Sequence, residues 1–237
     1  MEASPTGAAP PLPPSRAPTS AAAAPRGREL HVFDFDGTIV RSPVPHPSNG
    51  AAVLEHAQKP AMFGGLGWFG ALETLRPPCF PNAPDPRDDR YFVQATLATF
   101  RASQAAGHYV IVLTGRDEIF RPRVTELLSL AGLAPAELHL KAKVRAGTVR
   151  AKTDTIMDVV SRVRPTAIRL FDDRLEQGTK IAASVEEALA AAGAPAGAVP
   201  VLLVHVDEPE TYLEKQLEND LLWRLKENAA AGRFRKS

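Results

Sequence analysis

Several residue types that define common classes of protein are scarce in this chain. Its 237 residues include one cysteine, Cys79, so an internal disulfide is excluded, and no cysteines and histidines stand at zinc-ligand spacing. The longest apolar runs, such as Val110 to Leu113, are far shorter than the roughly 20 residues that cross a bilayer. The net charge of +1 gives no whole-molecule attraction to nucleic acid or membrane. We expect no membrane association and a reducing intracellular compartment, with cytoplasm or nucleus as the default.

The first 28 residues differ in composition from the rest of the chain. They are rich in proline, alanine, serine and threonine, and they carry three arginines and one acidic residue. Such a segment buries too little apolar surface to offset the entropy lost on ordering, so residues 1–28 are predicted to be a disordered tail. The same composition is typical of organellar transit peptides, which leaves an organelle open as the alternative location.

From Leu30 onward, short apolar runs alternate with helical patterns, which indicates βαβ units around a parallel sheet. The predicted strands are His31–Phe35, Tyr109–Leu113, Glu137–Leu140, Ala167–Phe171 and Val199–Val204. The predicted helices lie near Phe92–Ala106, Ile119–Ala131, Thr153–Val163 and Val185–Ala192. Strands buried on both faces read as continuous apolar runs, as most of these do. We predict an α/β protein, a three-layer α/β/α sandwich with a central parallel sheet, formed by one domain over residues 29–237.

Two segments depart from this alternation. Residues 41–89 are rich in proline and glycine and predict a small insert after the first strand. Packing of this insert as a flap through Trp68 and Phe69 is favoured over direct contact with a substrate. Residues 209–230 carry leucines at four-residue spacing and predict a C-terminal amphipathic helix, docked on the chain itself rather than on a partner.

Two carboxylates follow the first predicted strand directly. Asp34 and Asp36 are two residues apart, so they share one face of an extended chain, and Gly37 allows a turn immediately afterward. In a doubly wound sheet, ligands bind at the carboxyl ends of the strands. One carboxylate can therefore attack a substrate while the other transfers a proton.

The sequence Asp34-Phe35-Asp36-Gly37-Thr38 resembles the first of four motifs in the haloacid dehalogenase (HAD) superfamily, each of which follows a strand. The other three motifs have counterparts in the same order. They are Thr114 at the end of an apolar strand, Lys152 near a predicted helix start, and the pair Asp172 and Asp173 after another strand. For the lysine, Lys141 and Lys143 are nearby rivals. The resemblance implies a HAD-like (Rossmannoid) fold.

The resemblance also implies a function, namely hydrolysis of phosphomonoesters through an aspartyl-phosphate intermediate. Asp34 would be the nucleophile, Asp36 the general acid and base, and Thr114 and Lys152 would bind the phosphoryl oxygens. Mg²⁺ is the implied cofactor, and its implied ligands are Asp34, the backbone carbonyl of Asp36, Asp172 and Asp173. Thr38, Gly115 and Arg116 are candidate substrate-binding residues.

Two short segments narrow the resemblance. Thr114-Gly115-Arg116 and Asp172-Asp173-Arg174 resemble segments of the phosphatase domain of phage-type polynucleotide kinase/phosphatase, and the whole arrangement is similar to the HAD domain of the Swiss Army Knife RNA repair-like family. The implied partner is a phosphorylated substrate, in particular an RNA or DNA end carrying a 3′-phosphate. A HAD phosphatase acting on a small metabolite, a nucleotide or a phosphoprotein would use the same catalytic residues, so that alternative stays open.

Overall fold

The computed structural model of the protein describes residues 27–46, 48, 68–70, 72–141 and 147–230. Most of the predicted disordered tail, the glycine-rich centre of the insert and Lys143 lie outside these described residues. The domain boundaries at residues 28 and 237 stay predictions.

Five strands form one parallel sheet, as predicted. They are β1 (Leu30–Phe33), β2 (Tyr109–Asp117), β3 (Glu137–Lys141), β4 (Ile168–Asp172) and β5 (Val201–His205). Their order across the sheet is β3-β2-β1-β4-β5, so β1 lies at the centre and pairs with β2 on one side and β4 on the other. Because the chain leaves β1 toward β2 and later crosses to β4, the strand order reverses at β1. Such a reversal opens a crevice at the carboxyl ends of the central strands.

Five helices with complete bounds lie in the part of the chain that the structure describes. They are α1 (Gln94–Ala105), α2 (Arg121–Leu130), α3 (Thr148–Val163), α4 (Leu175–Ala191) and α5 (Lys215–Ala230). Two of them begin earlier than the sequence predicted, α3 by five residues and α4 by ten. The first residues of both helices include polar and charged side chains that obscure the apolar period. Because of the earlier starts, the N-terminus of α3 lies close to the end of β2, and that of α4 lies close to the end of β4.

The core has two layers, one on each face of the sheet. Alternate residues of β1 point to opposite faces, so Phe33 joins the cluster formed with α1 and α2, while Leu30 and Val32 join the cluster formed with α3 and α4. The result is the predicted three-layer α/β/α sandwich.

The described part of the insert packs on the C-terminal segment. Two short 3₁₀ helices, Trp68–Gly70 and Leu72–Leu75, lie in this part of the insert. Trp68 forms a small apolar cluster with Leu213 and Leu217, at the start of α5. The start of α5 therefore docks on the chain's own insert. None of the helices among the described residues is long and apolar enough to cross a membrane.

Candidate active site

Three carboxylates converge at the carboxyl ends of β1 and β4. The two strands are adjacent and in parallel register, which places Asp34 just after β1 beside Asp172 and Asp173. One oxygen of each carboxylate lies within 4.8 Å of the others. Asp34 and Asp172 are buried, and Asp173 is partly exposed. The structure thus brings together three of the four residues predicted to hold a metal.

The absence of a side chain at Gly37 allows the Asp173 carboxylate to lie close to the turn after β1. Its φ of +71° lies in the left-handed region, and a Cβ at this position would overlap Asp173 Oδ2. The adjacent Thr38 is fully buried, and its hydroxyl accepts a hydrogen bond from the backbone N–H of Asp173 at 3.0 Å. Thr38 therefore supports the Asp173 loop, and its contact with a substrate stays a prediction.

Lys152 lies between two of the carboxylates, those of Asp34 and Asp172. Its Nζ is 3.0 Å from Asp34 Oδ2 and 3.1 Å from Asp172 Oδ2, and the side chain is almost wholly buried. These ion pairs with Asp34 and Asp172 distinguish Lys152 from its rival Lys141, which lies at the end of β3. Burial opposes the charge of the ammonium group, but the attraction of Asp34 and Asp172 outweighs it and raises the pKa of Lys152.

The remaining negative charge at this cluster is poorly compensated. Burial, followed by repulsion from Asp34, raises the pKa of Asp172, and the same causes raise the pKa of Asp173 to about 7. Asp34 Oδ2 is buried and, among the described residues, receives ion pairs but no well-aligned hydrogen bond. Crowded carboxylate oxygens of this kind fit a hard divalent cation, which takes oxygen ligands and lowers their proton affinity. The three residues could therefore hold a metal ion.

The Asp36 side chain contacts Ser42 and Arg116 rather than the three clustered carboxylates. Its carboxylate receives hydrogen bonds from Ser42 Oγ at 2.6 Å, from Arg116 Nη2 at 2.7 Å, and from Arg116 Nε at 2.9 and 3.0 Å. The Asp36 side chain is thus outside the three-carboxylate cluster. The prediction that Asp36 contributes its backbone carbonyl to a metal stays a prediction.

The side chain of Arg116, a candidate substrate-binding residue, is surrounded by other groups of the protein. Its guanidinium is fully buried, and each of its three nitrogens already donates to protein oxygens. The sequence predicts that this residue contacts a substrate phosphate, because it follows Thr114 by two residues. The sequence could not show that residues of the insert enclose the side chain.

Thr114 and Gly115 lie at the end of β2, next to the site. Thr114 is buried, and its Oγ1 accepts a hydrogen bond from the backbone N–H of Arg116 at 3.2 Å. Gly115 lies close to Thr148 at the start of α3, since a Cβ there would be 3.4 Å from the Thr148 methyl group. Both residues line a cavity that extends to Lys152. Their contact with a phosphoryl group stays a prediction.

Sequence reasoning left Arg174 outside the candidate site residues. This side chain is 45% exposed, and one of its nitrogens is 3.5 Å from Asp34 Oδ2. Burial of part of the side chain lowers the pKa of Arg174, but nearby Asp34 and Asp173 raise it by more. Arg174 also lines a cavity of about 130 Å³ that extends past Gly37 and Arg41. Its place in the sequence, directly after Asp172 and Asp173, could have identified Arg174 as a candidate site residue.

Comparisons with known proteins agree with this fold. A family model described as HAD domain family 1 in Swiss Army Knife RNA repair proteins matches residues 42–229. A comparison with curated proteins returned no match.

Three solved structures share a distant likeness. Two are structures of a Pnkp1/Rnl/Hen1 RNA repair complex, with 14% and 15% identity, TM-scores of 0.43 and 0.44, and coverage of 81% and 80% of this chain. This chain covers 52% and 47% of the matched chains, about half their length. The third is the HAD domain of the effector Lem4 from Legionella pneumophila, an inactive mutant, with 10% identity, a TM-score of 0.45, and coverage of 89% of this chain and 100% of that one.

The family model covers most of the chain, and the five-stranded parallel sheet with its flanking helices agrees with a HAD-like fold. Both the fold and the family expected from the sequence are confirmed. The chain belongs to HAD domain family 1 of the Swiss Army Knife RNA repair proteins, a family of phosphatase-type HAD domains.

Proposed function

We propose that the protein is a Mg²⁺-dependent phosphomonoesterase that removes 3′-phosphates from nucleic-acid ends through a phosphoaspartate on Asp34. The observation that carries the proposal is the position of Asp34, whose carboxylate lies 3.0 Å from the ammonium group of Lys152 and within 4.8 Å of carboxylate oxygens of Asp172 and Asp173. A nucleophile, a fixed cation and a set of oxygen ligands are thus present within one site. Phosphoryl transfer depends on this combination.

The nucleophile needs help because a phosphomonoester dianion repels a carboxylate. Lys152 supplies one fixed positive charge at Asp34, and Arg174 supplies a second that is open to solvent. When bound at Asp34, Asp172 and Asp173, Mg²⁺ would neutralise further charge on the phosphoryl oxygens. Electrostatic neutralisation by positioned groups is the main contribution that proteins make to phosphoryl transfer.

The proposed reaction has two steps. In the first, an Asp34 oxygen attacks phosphorus, the ester P–O bond breaks, and Asp36 gives a proton to the departing oxygen. In the second, Asp36 takes a proton from a water molecule, which attacks the phosphoaspartate and releases inorganic phosphate and free Asp34. For proton transfer, the Asp36 carboxyl group has to be held in a fixed orientation. It does not have to lie among the three carboxylates that could bind the metal.

Two observations support a nucleic-acid end as the substrate. The family consists of domains from RNA repair proteins, and the Thr-Gly-Arg and Asp-Asp-Arg segments resemble those of a polynucleotide phosphatase. Within the site, Arg174 is the half-exposed guanidinium near the nucleophile, and its fork of donors suits phosphate oxygens. We therefore move the predicted arginine–phosphate contact from Arg116 to Arg174.

A substrate panel tests the proposal. Phosphate release is measured, with Mg²⁺ and with EDTA, from RNA and DNA oligonucleotides carrying a 3′-phosphate, from 5′-phosphorylated oligonucleotides, and from nucleoside monophosphates and sugar phosphates. We expect the 3′-phosphorylated ends to be preferred and EDTA to abolish turnover. Much faster release from the small esters would overturn the nucleic-acid assignment and leave only a general phosphatase.

An arginine variant refines the same test. Arg174→Ala should raise KM for 3′-phosphorylated oligonucleotides at least tenfold, since a charge-assisted hydrogen bond contributes roughly 1.5–3 kcal/mol. Arg150→Ala is the matched control, because Arg150 is a highly exposed arginine whose partner is Asp154 on the same helix. Equal KM values for the two variants would remove Arg174 from substrate binding.

A further inference from the structure

The side chain of Arg116 connects two parts of the molecule that are far apart in sequence. On one side, Nε and Nη2 bind the carboxylate of Asp36, 80 residues earlier in the chain. On the other, Nη1 donates to the Phe69 carbonyl at 3.1 Å and to Thr74 Oγ1 at 2.9 Å. Both acceptors belong to the insert. One buried guanidinium is therefore shared between the proton-transfer residue and the insert.

Packing limits the freedom of this guanidinium. Its central carbon lies 4.8 Å from the ring centre of Phe120 and 5.5 Å from that of Phe69. The side chain is completely shielded from solvent, so neither water nor a substrate can replace its protein partners without rearrangement. A planar group that lies over two aromatic rings and is bound at every nitrogen has a fixed orientation.

The pair of Arg116 and Asp36 is also expensive to bury. Desolvating two charges costs several kcal/mol, which the pair recovers only when its geometry is good and its remaining donors are satisfied. Phe69 and Thr74 accept from the nitrogen that faces away from Asp36. The insert therefore completes the hydrogen bonding that keeps Arg116 in place.

From these contacts we infer that the insert positions the general acid–base: Thr74 and the Phe69 carbonyl orient Arg116, and Arg116 orients Asp36. This inference rests on the proposed phosphatase function. It assigns Arg116 and Thr74 as positioning residues, and it gives the 68–75 segment a role in proton transfer besides packing on the C-terminal segment.

The inference predicts which step is impaired when the linkage is weakened. Asp36 protonates the leaving oxygen, which matters greatly for an alkoxide and little for an aryl oxide. Loss of the Thr74 hydroxyl should therefore lower kcat for an alkyl phosphate more than kcat for an aryl phosphate. General disruption of the site would lower both values equally.

Four variants make the kinetic test. We expect Thr74→Val to reduce kcat for an alkyl phosphate by roughly tenfold, and for an aryl phosphate by less. Thr74→Ser keeps the hydroxyl and should restore kcat. Thr96→Val removes the hydroxyl of another buried threonine, on α1 and in none of these hydrogen bonds, and should behave like the wild type. Asp36→Asn gives the reference pattern, with losses on the order of 10²–10⁴-fold that are larger for the alkyl ester.

A second measurement does not depend on turnover. In a double-mutant cycle, thermal unfolding midpoints are compared for the wild type, Thr74→Val, Asp36→Asn and the double variant. Because both changes act on Arg116, the shifts of the single variants should not add up to the shift of the double variant.

The outcomes separate this inference from the proposed function. Additive shifts, or equal losses of kcat on both esters in Thr74→Val, would overturn the positioning role. A wild-type protein that hydrolyses neither ester would overturn the proposed phosphatase, while the cycle would still test the linkage among Asp36, Arg116 and Thr74.

Discussion

At the scale of single residues, the site gathers negative charge at the carboxyl ends of β1 and β4. Asp34, Asp172 and Asp173 approach one another closely, and Lys152 compensates only part of their charge. Burial first, and then repulsion from Asp34, raises the pKa values of Asp172 and Asp173. Such an arrangement costs stability and is expected where a cation and a phosphoryl group bind.

Replacing the nucleophile tests the covalent mechanism. Asp34→Asn should lose essentially all hydrolysis of an aryl phosphate in the presence of Mg²⁺, because an amide is neither a competent nucleophile nor an anionic ligand. The measurement is steady-state phosphate release. Asp158→Asn is a suitable control, since Asp158 is exposed on α3 and pairs with Arg162. Substantial turnover by Asp34→Asn would contradict a phosphoaspartate on this residue.

At the scale of secondary-structure elements, close packing of helix against strand determines where the carboxylates lie. Gly178 in α4 has no Cβ, and one added there would be 2.7 Å from Leu203 Cδ1 and 3.4 Å from Asp172 Cβ. The helix can therefore approach β4 and β5 at the level of Asp172. On the other edge of the sheet, Glu137 at the start of β3 connects three elements, because it accepts hydrogen bonds from Tyr109 in β2 and Arg162 in α3.

The Glu137 contacts predict a pH-dependent contribution to stability. Hydrogen bonds from Arg162 first, and then from Tyr109 and His139, lower the pKa of Glu137 to about 2 despite partial burial. A lowered carboxyl pKa stabilises the fold above the unfolded value near 4.5, and that contribution disappears as the pH falls toward 2. Since Arg162 is 46% exposed, solvent screening limits the pair to about 0.5–1 kcal/mol.

Glu137→Gln should accordingly lower the unfolding midpoint at pH 7, and its difference from the wild type should shrink between pH 5 and pH 3. Thermal unfolding followed by circular dichroism across this range measures the effect. Glu187→Gln, at an exposed position of α4, should stay close to the wild type at pH 7. A Glu137→Gln difference that grows on acidification would show that the sign of the linkage is wrong.

At the scale of the whole molecule, metal binding and folding should be linked. The carboxylate cluster requires β1 and β4 to be paired, so the unfolded chain lacks the site. A ligand that binds only the folded state stabilises it by about 2.7 kcal/mol at a hundredfold excess over its Kd. For a chain of this size, that corresponds to a rise of roughly 5–10 °C in Tm.

We expect Mg²⁺ to raise the Tm of the wild type, and to raise it less in Asp173→Asn, which lacks one anionic oxygen. The experiment is a thermal shift titration with MgCl₂, with NaCl at equal ionic strength as the control for screening. Equal Mg²⁺-induced shifts in the two proteins would exclude Asp173 as a ligand. The titration would also show whether Asp173 contributes to metal binding besides Asp172, a point that the sequence left open.

The sequence by itself determined the sheet, the family and the meeting of four charged residues. Apolar periodicity located all five strands, and strands in a parallel sheet end at the same edge, so residues that follow β1 and β4 had to be neighbours. From the sequence, Lys152 is only a provisional choice over Lys141, because the two residues lie on consecutive elements, Lys141 at the end of β3 and Lys152 near the start of α3. The positions of the strand ends have one physical cause, since local patterns fix strands and parallel pairing fixes their ends, whereas the family and Lys152 came from the resemblance of the motifs.

Tertiary structure alone decided the partners of individual side chains. Arg116 has the right spacing from Thr114 to reach a phosphate, yet Phe69 and Thr74 approach it from 42 to 47 residues away and turn it toward Asp36. Thr38 likewise binds the loop at Asp173, 135 residues later. A side chain's partner depends on which distant segments pack over it, and no local period in the chain records that packing. The sequence therefore specified the ends of the strands, and the fold decided which of the residues there meet in the carboxylate cluster and which hold the others in place.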